Sequence, residues 1–253
     1  MSANNTITTA PSLADIGGPR QPLIPAKNLP CHFPVRAGVL APKKVVRAVD
    51  GIDFTIAKGE TLGVVGESGC GKSTTARLLI GLVPITGGKI IYDGQELNAD
   101  LSLRDLRRGV QMVFQDSFAS LNPRMTIEET IAFGPKVNGV PQAEALATAR
   151  DLLDRIGLDP ARFAGRYPHE LSGGQRQRVN IGRALAMRPR LLILDEAVSA
   201  LDKSVEAQVL NLLEDLRRDF DLTYMFISHD LNVVRFISDR LMVMYLGEVV
   251  EVG

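Results

Sequence analysis

The segment Gly66-Glu67-Ser68-Gly69-Cys70-Gly71-Lys72-Ser73 has the spacing G-x-x-x-x-G-K-[S/T]. It follows a short apolar run, residues 61–65, and precedes Ala76, Leu79, Ile80 and Val83 at helical spacing. A glycine-rich loop between a strand and a helix is the context in which this pattern binds polyphosphate. Glycines let successive backbone N–H groups turn inward around phosphate oxygens, and the helix start adds its positive dipole end. Lys72 is placed to reach the β- and γ-phosphates, and the Ser73 hydroxyl to meet Mg²⁺. Cys70 occupies a position the pattern leaves free.

Composition narrows the class. The 253 residues carry no formal net charge, 45% are apolar and 23% charged. This is a soluble globular balance, and it argues against a disordered chain. There is no basic excess to argue for nucleic acid as a partner. Two cysteines, Cys31 and Cys70, are too few for a disulfide framework or a cysteine-rich zinc site, so the chain reads as cytosolic. The longest nearly apolar run, residues 78–85, falls far short of the roughly 20 residues of a spanning helix. No basic segment followed by an apolar one marks a secretory signal at the N-terminus.

Residues 1–27 read as a flexible tail, polar at first and then interrupted by Pro11, Pro19, Pro22 and Pro25. Residues 45–49 and 52–56 suggest two strands turning at Asp50-Gly51, and residues 89–92 a third, together a small antiparallel sheet. Further strands are expected at 110–114, 191–194, 223–228, 241–245 and 248–252. Helices are expected over 145–156, ended by Gly157, over 175–188, stopped by Pro189, and over 205–216. Strands alternating with helices imply an α/β fold with a mainly parallel sheet. Residues of about 116–188 read as a mainly helical insertion.

Leu171-Ser172-Gly173-Gly174-Gln175 opens the helix at 175–188. Ser172 is a natural N-cap, and two exposed glycine N–H groups make the start a second potential phosphate site. Leu191-Leu192-Ile193-Leu194-Asp195-Glu196 is an apolar strand ending in two carboxylates, which either cap the strand and face water or support Mg²⁺ (Asp195) and polarise an attacking water (Glu196). Gln115 and His229 also stand at strand ends. Parallel strands bring their C-terminal ends to one edge, where ligands bind in open α/β sheets. The phosphate loop, Gln115, Asp195, Glu196 and His229 are therefore expected in one crevice.

These motifs together resemble the nucleotide-binding domains of ATP-binding cassette (ABC) proteins over residues 28–253. The resemblance implies a P-loop NTPase core with an N-terminal antiparallel β subdomain and a helical insertion. It implies ATP and Mg²⁺ as ligands, and catalytic roles for Lys72, Gln115, Glu196 and His229. Ser73, Gln115 and Asp195 would meet the metal. Residues 66–73 with Thr74 would hold the phosphates, and Phe33 would stack on adenine, with His32 adjacent. Ser172, Gly173, Gly174, Gln175 and Asp202 would complete the site in a head-to-tail dimer. Ala197-Val198 departs from the Pro-Thr of many relatives, which implies altered local packing.

The segment Phe114-Gln115-Asp116-Ser117-Phe118-Ala119-Ser120-Leu121-Asn122-Pro123-Arg124-Met125 looks like that of dipeptide and oligopeptide importer ATPases. Residues 167–170 and 196–205 are similar to the same group. The implied function is an ATPase that energises import, peripheral on the cytoplasmic face of the membrane. Its partners would be integral-membrane permease subunits, a second ATPase subunit and, indirectly, an extracytoplasmic solute-binding protein. Phe118 and Leu121 suit a contact with a short permease helix. In that group the chain continues past residue 253, so a C-terminal extension is expected to be missing. The alternative is a soluble ABC ATPase acting on ribosomes or DNA.

Overall fold

The computed structural model describes residues 21–36 and 43–253. In chain order the first elements are β1 (Ile24–Arg36), β2 (Lys43–Ile56), β3 (Thr61–Gly66), α1 (Lys72–Leu79), β4 (Lys89–Tyr92), β5 (Gln95–Glu96), α2 (Leu103–Gly109) and β6 (Val110–Val113). A helical segment follows with α3 (Ile127–Val137), α4 (Gln142–Arg155), α5 (Pro160–Phe163) and α6 (Gly173–Leu185). The chain then runs through β7 (Leu191–Asp195), α7 (Lys203–Phe220), β8 (Thr223–Ile227), α8 (Leu231–Ile237), β9 (Arg240–Tyr245) and β10 (Glu248–Val252).

Six strands form one sheet in the order β10-β9-β3-β8-β7-β6. The pairs β9-β3, β3-β8, β8-β7 and β7-β6 are parallel, and β10 returns antiparallel on β9. Central strands buried on both faces read as continuous apolar runs, as Leu191–Asp195 does, with all five residues buried. Alternate side chains feed two cores. Leu192, Leu194, Tyr224 and Phe226 pack with α3, α4, α6, α7 and α8. Leu191, Ile193, Met225 and Ile227 pack with α1 and a second, antiparallel sheet of order β2-β1-β4-β5. No helix among the described residues is long and apolar enough to cross a membrane.

The α/β core, the antiparallel sheet and the helical insertion follow the sequence expectation, but the antiparallel sheet is built differently. Asp50-Gly51 does not turn a hairpin. Residues 43–56 are one strand, and its partner is β1, unforeseen because Pro25, Pro30 and Pro34 argue against a strand. Register shifts explain the dipeptide. Leu29 pairs with Ile52 and Cys31 with Val49, so β2 carries one extra residue there, and Gly51 takes it up at φ 72. The prolines are tolerated because, among the described residues, β4 pairs in register only with Ala26 and Lys27, and Pro30 takes part through its carbonyl, which accepts from the Thr86 N–H and hydroxyl.

The tail boundary at residue 27 also moves. Residues 1–20 lie outside the described residues, but β1 begins at Ile24, and Leu23, Ile24 and Ala26 are buried. Two helices are shorter than their patterns. α1 stops at Leu79 because Gly81, at φ 63, closes a Schellman turn: its N–H bonds Leu78 O, and Leu82 N–H bonds Arg77 O. α6 ends at Leu185, with Arg188 at φ 51 ahead of Pro189.

Ile24 therefore belongs to the core. Ile24→Ala should cost about 2–5 kcal/mol, the range for a fully buried large-to-small change. Urea denaturation measures it; a loss below about 1 kcal/mol would return these residues to the tail.

Candidate functional site

The phosphate loop is held by backbone rather than side chains. A Cβ at Gly66 would lie 2.1 Å from Met244 O, and one at Gly71 2.4 Å from Ala48 O. Gly71 also takes φ 109 as the residue before α1, a conformation L side chains avoid. α1 begins with no side-chain cap and no acidic residue in its first turn. Its leading N–H groups are left for an anion, which the helix dipole favours. Lys72 is buried, and its Nζ donates to Gly66 O at 2.7 Å and Glu67 O at 2.8 Å, so the ammonium is held across the loop that would cradle the phosphates.

Ser73 Oγ donates to Asp195 Oδ1 at 2.8 Å, joining the start of α1 to the end of β7. Asp195 is buried, and that desolvation holds its carboxyl above the usual range, with the Ser73 hydrogen bond pulling the other way. A hydroxyl and a carboxylate at the mouth of a phosphate cradle are the hard oxygen donors Mg²⁺ takes, the rest of its shell coming from water and phosphate. Such an ion needs no cluster of three His, Cys, Asp or Glu side chains, and none occurs among the described residues.

One residue on, Glu196 leaves the sheet at φ 50, a conformation uncommon for a non-glycine residue. Its N–H bonds Ile227 O at 3.0 Å, which ties the turn to β8. The carboxylate then lies between two strand-end residues. Gln115 Nε2 donates to Oε2 at 2.8 Å, and His229 Nδ1 stands 3.7 Å from Oε1. Ala197 and Val198 turn into the core, so the departure from Pro-Thr is absorbed by packing.

The structure thus brings Lys72, Ser73, Gln115, Asp195, Glu196 and His229 together and leaves the Leu-Ser-Gly-Gly-Gln segment apart. Among the described residues no hydrogen bond joins residues 172–175 to residues 66–74. Ser172 caps α6 in a capping box with Gln175, leaving the Gly173 and Gly174 N–H groups at a helix start. Gly174 packs on Val205, beside Asp202, the N-cap of α7. Phe33 is part of β1, opposite Val46, and is 39% exposed.

One reading of residues 116–125 changes. Leu121 is buried in the core and not available to a partner, while Phe118 is exposed with Arg176 over its ring at 5.4 Å. The sequence reading also missed what holds this segment. Arg176, Asn180 and Arg183 lie along one stripe of α6. Asn180 Nδ2 donates to Ser117 O at 3.0 Å, and Arg183 donates to Ser120 O. The polar i, i+4, i+7 spacing was visible, but on a helix assigned to the core it pointed to no partner.

A strand–glycine loop–helix cradle, a hydroxyl–carboxylate pair and a glutamate at the same sheet edge define a nucleoside-triphosphate-binding α/β protein equipped for hydrolysis. Residues 49–199 match the ABC transporter family. The chain is 51% identical to the oligopeptide transport ATP-binding protein AppF of Bacillus subtilis (strain 168), covering 92% of this chain and 72% of that one. It is also 51% identical to the glutathione import ATP-binding protein GsiA of Escherichia coli (strain K12), again over 92% of this chain, but spans only 38% of that relative's length. Among solved structures it is similar to cbiO1 of Clostridium perfringens, part of the ABC transporter complex cbiONQ (TM-score 0.79, 26% identity, 92% and 88% of the two chains). It is also similar to the dimeric cassette MJ0796 bound to ADP and Pi (TM-score 0.76, 28% identity, 91% and 97%). The chain belongs to the ABC transporter family and is an ATP-binding, ATP-hydrolysing cassette of it.

Ser73→Ala should remove the hydroxyl that offsets burial of Asp195. In EDTA and without nucleotide, urea denaturation at neutral pH should show a loss of about 1.5–3 kcal/mol. The folded pKa of Asp195 is raised, so the ionised carboxylate is the penalised form. The loss is largest above that folded pKa and shrinks as pH falls through it. A loss unchanged from neutral to acid pH would separate the hydroxyl from the carboxylate.

Proposed function

We propose that this cassette is the ATPase subunit of an importer of short peptides, acting at the cytoplasmic face of the membrane as a peripheral subunit. The names of the two importer relatives support the substrate class. The observation that carries the catalytic part is the Glu196 carboxylate, turned out of β7 and held by Gln115 with His229 beside it.

In this reading Glu196 accepts the proton of the attacking water, and His229 and Gln115 report the γ-phosphate. Lys72, with the backbone of residues 66–74, neutralises and orients the phosphates. Phe33 carries the adenine. Ser73, Asp195 and Gln115 would hold Mg²⁺, which would supply charge neutralisation to the triphosphate. Positioning and charge account for most of the rate, since phosphoryl transfer has a loose transition state.

The separation of residues 172–175 from the loop supports a composite site. Ser172, Gly173, Gly174, Gln175 and Asp202 of one subunit would close over ATP held by a second ATPase subunit, head to tail. The permease contact is better placed in a groove lined by Ile80, Leu82, Arg107, Phe114, Phe133 and Met187 than on Leu121. Leu82 and Phe133 are exposed, and Phe114 adjoins Gln115, so a helix seated there is one residue from the hydrolysis site. A solute-binding protein would act on the permease from the other side.

Glu196→Gln should keep ATP binding and slow hydrolysis about 10²–10⁴-fold, the usual contribution of a general base. An ATP-bound dimer should then persist on size exclusion. Turnover within about threefold of the parent protein would remove Glu196 from the role. A second pair of variants separates binding from assembly. Lys72→Ala should weaken ATP binding by about 1.5–3 kcal/mol, as expected for lost hydrogen bonds to a charged group. Ser172→Arg should leave monomer affinity near that of the parent while blocking dimer closure. Equal losses of affinity in both, titrated with a fluorescent ATP analogue, would contradict the composite site.

A further inference from the structure

The phosphate loop and Phe33 belong to different sheets, yet one residue is bonded towards both. The Asp50 N–H donates to Gly247 O at 2.9 Å, and the Gly247 N–H donates to Cys70 O, inside the phosphate loop, at 2.9 Å. The Asp50 side chain points the other way along the sheet. Its Oδ1 lies 2.9 Å from His32 Nε2, and its Oδ2 accepts from Arg47 Nη1 at 3.0 Å. His32 and Arg47 are directly opposite in the β1–β2 ladder, and the next pair outward is Phe33 and Val46. A hydrogen-bonded line therefore runs from Cys70 through Gly247 and Asp50 to His32, the residue before Phe33.

The ladder is irregular where this line crosses it. Register shifts fall between Leu29 and Cys31 and again between Cys31 and His32. Each bulge disrupts local pairing and bends the strand, so the regular outer run from His32↔Arg47 to Arg36↔Lys43 is set off from the inner ladder by these irregularities. Asp50 stands at these bulges and ties both strands together beyond them. The Arg47 guanidinium, and next His32, hold its carboxyl below the usual carboxylate range, so it is ionised at neutral pH. The distance it spans suits a nucleotide. Ala48 O is packed against Gly71 of the phosphate loop, and Val46, two residues away, is about 7 Å further along the strand.

We infer that Asp50 is a positioning residue that fixes the Phe33–Val46 end of the ladder relative to the phosphate loop, so that base and polyphosphate are gripped together. It thereby sets how strongly the site prefers a nucleotide over bare polyphosphate. This rests on the reading of Phe33 as the adenine contact, and the two are separable.

Calorimetric titration of the full chain with ATP and with inorganic tripolyphosphate tests it. Asp50→Asn should weaken ATP about tenfold and leave tripolyphosphate within about twofold, the scale of one lost base contact. His32→Leu should lower the same ratio, and His32→Gln, which keeps an N–H donor for Asp50, should restore it. These two variants decide the matter if Asp50→Asn fails to fold. An unchanged ratio of ATP to tripolyphosphate affinity in Asp50→Asn, whether both ligands weaken or neither does, overturns the inference. Phe33→Ala separates the readings. If it leaves the ratio intact while Asp50→Asn lowers it, the positioning role stands and Phe33 is not the base contact. The reverse result keeps Phe33 and removes Asp50.

Discussion

Two backbone contacts decide where the chemistry of this protein can occur. Gly66 fits under Met244 O and Gly71 under Ala48 O, each too close for a side chain. Met244 belongs to β9 of the parallel sheet and Ala48 to β2 of the antiparallel one. The phosphate loop is thus the seam at which the two sheets meet. Its anion-binding N–H groups stay free because glycine backbone, rather than side-chain atoms, makes the close contacts. The rest of the edge is registered to this seam. β3 leads into the loop, and β8 and β7, paired to it in turn, deliver His229, Asp195 and Glu196 at the same height.

That registration explains how much was legible in the sequence. A parallel sheet needs buried, continuous apolar strands, and residues 61–65, 191–194 and 223–228 announce themselves that way. Each strand end then places one or two polar side chains, so the positions of Lys72, Gln115, Asp195, Glu196 and His229 follow from topology alone. The antiparallel sheet was less readable. β1 carries Pro25, Pro30 and Pro34, and β2 carries Asp50-Gly51, all of which spell turns by local chemistry. Here long-range pairing overrides propensity. The ladder between β1 and β4 is two pairs long, so it asks little of the prolines, and Gly51 absorbs a bulge instead of reversing the chain. Leu121 misled for a similar reason: one apolar residue in a turn-rich segment gives no sign of whether it faces the core or a partner.

The separation of the two phosphate-seeking helix starts follows from the same architecture. α1 begins at the seam, whereas α6 begins in the helical insertion and is capped by its own Ser172 and Gln175. In the proposed composite site, uncapped N–H groups at α1 and glycine N–H groups at α6 would meet the same anion. One chain presents them in different places, so a second chain is the natural means of bringing both to one triphosphate.

The stripe on α6 gives that arrangement a mechanical consequence. Ser172 at the head of the helix and Arg176, Asn180 and Arg183 along its side are parts of one rigid rod. The three side chains grip the Phe118 ring and the Ser117 and Ser120 carbonyls, in the segment that begins at Gln115. Gln115 in turn holds Glu196. In the proposed composite site, a displacement of the helix head would be passed to residues 117–120 through these contacts. Arg183 also lines the groove proposed for the permease, so the same rod carries Ser172 at its head, meets residues 117–120 along its side and borders that groove. Coupling of this kind needs only that α6 move as a unit, which a capped helix packed through Val179, Ile181 and Leu185 is built to do.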